Sequence, residues 1–225
     1  MNRTQLHLLG IILLIFSQTR LSAQAAEPGS WMVYSGNFTF KENWNWVNEV
    51  HFRNYDILSD LQQVALRTGI GYNLSQNNTN LLMGYTYIYS EKYIKNADDK
   101  KSSDENRFHQ QIVFKQNVSR LYLQNRVRVE ERFFSDEYKT RIRYSLVLNL
   151  PLNNKTMKSK TLYLATSNEI FLQVQKKAYD QNRLYGGIGY IINKNFKVEA
   201  GYLRQMTSTT NRNQFQIAVS NTFPL

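Results

Sequence analysis

The sequence predicts an all-β chain: a transmembrane, antiparallel, up-and-down β-barrel of about 10–12 strands. Three observations predict it. Apolar and polar side chains alternate with period two along much of the chain. The alternating runs are long, where soluble strands average about 5–6 residues. And the chain opens with the pattern of an export signal.

The export signal comes first in the chain. Arg3 gives a positive start, Leu8 to Phe16 reads LLGIILLIF, and Ala23-Gln24-Ala25 fits a cleavage site of small residues. The apolar run is too short to span a bilayer as a helix, which needs about 20 such residues. Residues 1–25 are therefore read as a signal peptide and 26–225 as a single outer-membrane barrel domain. No cysteine is present, so disulfides and thiolate metal sites are excluded. No later stretch is apolar enough for a membrane helix.

Period two then runs through the remainder. Val64, Leu66, Ile70, Tyr72 and Leu74 share one face, against Ala65, Arg67, Gly69, Gly71 and Asn73. Ile142, Tyr144, Leu146, Leu148 and Leu150 oppose Arg141, Arg143, Ser145, Val147 and Asn149. A helix would scatter these arginines around its circumference, whereas a strand gathers them on one side. The pattern predicts strands near 31–40, 44–54, 62–74, 80–90, 107–117, 120–132, 138–150, 161–172, 182–192, 196–206 and 212–223. About 11 residues at ~3.3 Å each, tilted by about 40°, match the ~25 Å apolar band of an outer membrane. Three prolines in the whole chain suit uninterrupted ladders. Asn48, Gln110, Asn125 and Asn168 fall on predicted apolar faces, where bulges or shifts of register would explain them.

Aromatic residues are abundant, with 15 Tyr, 12 Phe and 3 Trp. Trp44, Trp46, Tyr85, Tyr87 and Tyr89 stand near strand ends, as expected of rings at membrane interfaces. The longer connections are read at 55–61, 91–106, 133–137, 173–181 and 207–211, and the short turns at 41–43, 75–79, 118–119 and 193–195. Residues 151–160 break this alternation. If the long connections face outward, strand 31–40 has the wrong direction. It is then a plug, a parallel addition, or the sign of a twelfth strand.

The chain carries 28 Lys and Arg against 17 Asp and Glu. Export argues against nucleic acid as the partner. The expected partners are outer-membrane lipid, lipopolysaccharide and the export and barrel-assembly machinery, with a small anionic solute for a cationic lumen. A lipid-facing Arg or Lys costs about 2–4 kcal/mol at the midplane. Arg67, Arg126, Arg128, Arg141, Arg143 and Arg183 must therefore point inward. Arg132, Glu49, Glu130, Glu169 and Glu199 share that parity. Folding each hairpin on its connection sets Glu49 opposite Arg67, Glu130 between Arg141 and Arg143, and Glu169 opposite Arg183. Opposed cross-strand charges stabilise a sheet by roughly 0.2–1 kcal/mol per pair. These eleven residues are the candidate lumen network. They either fill the barrel and fix its register, or line a small cationic pore or binding cavity.

The alternative is an outer-membrane lipid-modifying enzyme. His51 and His109 are inward-facing candidate bases and Ser145 and Ser167 inward hydroxyls, but no nucleophile motif accompanies them. No metal-ligand spacing and no cofactor motif is present, and no catalytic residue is assigned. Gly186-Gly187-x-Gly189 lies within a strand, where small residues leave room for bulky lumen neighbours.

Several segments together resemble an outer-membrane barrel family, domain of unknown function 2490. They are Glu49-x-x-x-Arg53, Arg67-x-Gly69-x-Gly71-Tyr72, Gly84-Tyr85-x-Tyr87, Arg126-x-Arg128-x-Glu130-x-Arg132-Phe133, Arg141-x-Arg143-Tyr144, Asn168-Glu169-x-Phe171, Asp180-Gln181-Asn182-Arg183 and Gly201-Tyr202. The resemblance implies an outer-membrane location, commonly in Bacteroidetes-type bacteria, and carries no activity with it. It also implies that Glu130, Glu169 and Arg183 belong to one lumen network.

Overall fold

The computed structural model describes residues 28–41, 43–74, 78–94, 97–175 and 178–224. The expected signal peptide, 1–25, lies outside them. Eleven strands form among the described residues, and no helix. They are β1 (Gly29–Phe40), β2 (Trp44–Asn54), β3 (Leu61–Asn73), β4 (Thr79–Tyr93), β5 (Lys100–Val118), β6 (Leu121–Phe133), β7 (Tyr138–Pro151), β8 (Thr161–Gln173), β9 (Tyr179–Asn193), β10 (Phe196–Thr207) and β11 (Asn211–Pro224). Each pairs with the next in antiparallel register, and β1 returns to β11 to close the barrel.

That closing seam is parallel, with Trp31 beside Gln216 and Tyr34 beside Val219. An odd count requires it. Each hairpin reverses the chain, so the first and eleventh strands run the same way. The strand at 31–40 is therefore neither a plug nor one of twelve. It is a full member of the wall that pairs antiparallel with β2 and parallel with β11.

The alternation sorts the side chains cleanly. Outward positions include Phe52, Leu66, Ile70, Met83, Phe108, Ile142, Ile188 and Ile217, all largely exposed. Inward positions hold the buried Arg107, Arg128, Glu130, Arg141 and Arg143. The outward amides do not mark bulges. Instead Asn48 accepts from the Thr68 hydroxyl at 2.9 Å, Asn125 from Tyr144 at 2.7 Å, and Asn168 exchanges amide hydrogen bonds with Asn182. Cross-strand partners thus satisfy groups that a one-strand reading leaves exposed. The register shifts fall near strand ends, at Arg53/Asn54, Phe171/Leu172 and Phe196/Lys197.

The connection read at 91–106 is mostly strand. β4 and β5 pair out to Tyr93 and Lys100, beyond the last partners of β3 at Ser90 and of β6 at Asn106. Residues 91–93 and 100–106 of the charged run therefore form a two-stranded arm that stands above its neighbours, where both faces tolerate charge. Lys100, in the outermost pair of this arm, joins Glu91 and, from the neighbouring connection, Asp60. In the neighbouring connection, backbone N–H groups of Leu58, Ser59 and Asp60 donate to Asp56. The hydrogen bonds from Asp60 and Ser59 hold the Asp56 carboxyl below the usual carboxylate range. The longest described connection, 152–160, lies at the opposite rim, so loop length does not distinguish the two ends.

Candidate functional site

A cavity of about 450 Å³ occupies the lumen. Gln62, Ser90, Lys92, Ser103 and Phe134 line it near the rim that carries 55–60 and the β4–β5 arm. Beside it and toward the far rim the lumen is filled. Trp31, Tyr163, Ala165, Tyr185 and Leu203 form a buried apolar cluster, with Val33, Met157 and Ile191 packed on it. Met157 comes from the 152–160 connection, whose backbone N–H at that residue donates to Tyr122 Oη at 3.2 Å. This long connection therefore folds back over the barrel end. Tyr163 is fully buried, and its ring occupies the space that a side chain at Gly189 would need. His109 uses Gly84 in the same way.

The register places the charges. Glu49 stands opposite Arg67, Glu130 opposite Arg141, and Glu169 opposite Arg183. Glu130 is the hub. One carboxylate oxygen accepts from Arg141 Nε and Nη2, at 3.0 and 2.6 Å, and the other from Arg143. Arg107 and Arg128 stand 3.7 Å away. Arg143 also reaches Glu169 at 2.7 Å, and Arg126 meets the same oxygen at 2.6 Å. Arg183 faces Glu169 across the ladder, but its closest approach, to the second carboxylate oxygen, is 4.0 Å, while Arg126 and Arg143 share the first. Glu105 pairs with Arg107 and Arg132, and Arg128 donates to Gln111. Asp180 completes the set through Arg141 at 3.1 Å.

Two candidate groups stand apart from this cluster. Glu49 and Arg67 form their own pair, with Arg67 Nε donating to Thr86. Among the described residues Glu199 meets no arginine; it accepts from Tyr163 Oη at 2.7 Å and from Lys197 at 3.0 Å.

Comparison with protein families finds one whose model, described as a protein of unknown function, DUF2490, matches residues 28–216. The chain belongs to the DUF2490 family. A comparison with curated proteins finds no match.

In this DUF2490 barrel, alternation alone misses part of the site. Arg53 has the parity of Glu49 and His51 and lines the cavity. Its inward face could have been read directly from β2. Glu105 was hidden because it lay in the segment read as a loop, and Arg107 because it stood at that segment's edge. The aromatic contacts carried no sequence signal. Phe171 lies fully buried beneath Arg141, Arg143 and Arg183, at 5.0, 4.4 and 4.6 Å from its centroid. Trp31 holds Arg53 at 3.6 Å and Arg183 at 5.0 Å. Desolvated cation–π contacts of this kind contribute up to about 2 kcal/mol.

Both nitrogens of His51 are engaged in the DUF2490 lumen. Nδ1 accepts from the Trp31 indole at 3.1 Å, so in the neutral ring Nε2 carries the proton and donates to Glu49 at 3.1 Å. No serine hydroxyl hydrogen-bonds to His51 or His109 among the described residues. A base without a nucleophile in reach does not assemble acyl-transfer chemistry. The arrangement instead supplies many oriented guanidinium donors inside an enclosed wall.

Proposed function

We propose that the chain is an outer-membrane β-barrel whose lumen binds an anionic solute rather than conducting one. Support for the location comes from the outward face, which is apolar along strands long enough to cross a bilayer, with aromatic pairs such as Trp44–Tyr72 near one rim and Phe133–Tyr138 near the other. Its partners there are acyl chains, lipopolysaccharide and the export and barrel-assembly machinery. The observation that carries the binding reading is the one-sided cavity. It is arginine-rich toward one rim and gives way to the Tyr163–Met157 apolar layer toward the other.

Two measurements test this reading. The protein should stay in the outer-membrane fraction through alkaline washing and be released only by detergent. In planar bilayers the purified barrel should give no unitary current steps. Release by washing would overturn the location, and reproducible discrete steps would overturn the closed lumen.

A further inference from the structure

The inner wall holds more positive charge than it neutralises. Arg53, Arg67, Arg107, Arg126, Arg128, Arg132, Arg141, Arg143 and Arg183 face inward, and the carboxylates that reach them are Glu49, Glu105, Glu130, Glu169 and Asp180. The surplus is not spread evenly. Arg53 meets no carboxylate among the described residues, and its Nε is buried without a hydrogen-bond partner. Arg183 is the second guanidinium without a close counter-charge: Glu169 stands 4.0 Å from Nη1, while Nε and Nη2 donate to the neutral Gln181 amide oxygen at 3.2 and 2.9 Å. Trp31 gathers both. An unpaired charge in an enclosed wall is costly unless a counter-charge reaches it.

We propose that the Arg53–Trp31–Arg183 cluster is a binding site for a compact dianionic oxyanion, of the phosphate or phosphomonoester type. Forked guanidinium donors match tetrahedral oxyanions bidentately. The Trp31 ring already carries two guanidiniums, so it offers no free stacking surface for a flat aromatic ligand. Gln63, directly opposite Arg53, and Gln205, directly opposite Arg183, also line the cavity and add neutral amide donors. The site deepens the binding-lumen reading above and rests on it.

The test uses the full barrel in detergent. Its melting temperature is followed against inorganic phosphate, glycerol phosphate and chloride at matched ionic strength. Phosphate should raise the melting temperature saturably and chloride should not, because a ligand that binds only the folded state stabilises it. Arg53→Gln and Arg183→Gln should each weaken the phosphate effect at least about tenfold, a difference of about 1.4 kcal/mol. Arg53→Lys, which keeps the charge but loses the fork, should fall between. Arg204→Gln, on the outer face, should match the parent. A stronger response to glycerol phosphate than to phosphate identifies an ester as the ligand, and the reverse order the free ion. Heat-dependent gel mobility confirms that each variant has folded. A phosphate response equal to that of chloride, or one unchanged in folded Arg53→Gln, overturns the site. Because conductance is read separately, silent bilayers together with a failed phosphate response would reject this site while leaving the closed lumen standing.

Discussion

Glu130 and Arg126 show how differently two lumen charges are held. The Glu130 side chain is 2 % exposed and joins Arg141 to Arg143, whereas Arg126 is 21 % exposed and shares Glu169 with Arg143. Removing the shared anion takes from Arg141 and Arg143 one of their two carboxylates each, leaving Asp180 and Glu169, and takes from Arg107 and Arg128 a carboxylate 3.7 Å away; uncovering that much buried positive charge costs about 3–5 kcal/mol. Removing Arg126 leaves Glu169 still paired, at about 1 kcal/mol. Thermal melts in detergent should therefore rank Glu130→Ala well below Arg126→Ala, and the reverse order would defeat the pairing scheme. A second contrast tests close packing. A methyl at Gly189 collides with the Tyr163 ring, whereas at Gly186 it meets nothing within 4 Å. Gly189→Ala should cost about 1–3 kcal/mol through overpacking. Gly186→Ala should melt like the parent.

Among the elements, the connection 152–160 is the one whose length has a structural use. Met157 inserts against the Tyr163 cluster, so Met157→Asp places a charge in an apolar layer. The expected loss is at least about 2 kcal/mol, read as a lower unfolding midpoint, with the strand signal in circular dichroism unchanged at low temperature. The same elements show what the sequence makes legible. Strand positions and faces follow from alternation because a wall between two media imposes it on every residue. Hairpin folding places Glu49 against Arg67 and Glu130 against Arg141 because register in a meander is set locally. The β4–β5 arm escaped, since above the rim neither face need be apolar and the signal vanishes. Arg183 shows the other limit. Its register is local, but which arginine captures Glu169 depends on β6 and β7 together, and no single hairpin contains that choice.

For the molecule as a whole, closure with eleven described strands gives β1 its place in the wall. β1 does begin at the rim that carries 55–60 and the β4–β5 arm, and the parallel seam with β11 accommodates that direction. The surplus of inward arginine is concentrated in the β6–β7 hairpin, where Arg126, Arg128, Arg132, Arg141 and Arg143 accompany Glu130 alone, and Glu105 and Glu169 of the neighbouring strands offset it only in part. The closing seam has a practical outcome. Gly29 and Thr222 sit at opposite rims because β1 and β11 travel together. In the proposed outer-membrane setting those rims look into separate compartments. A tag placed just before Gly29 and one placed after the final strand should therefore label different sides, and an antibody applied to intact cells should find one and miss the other.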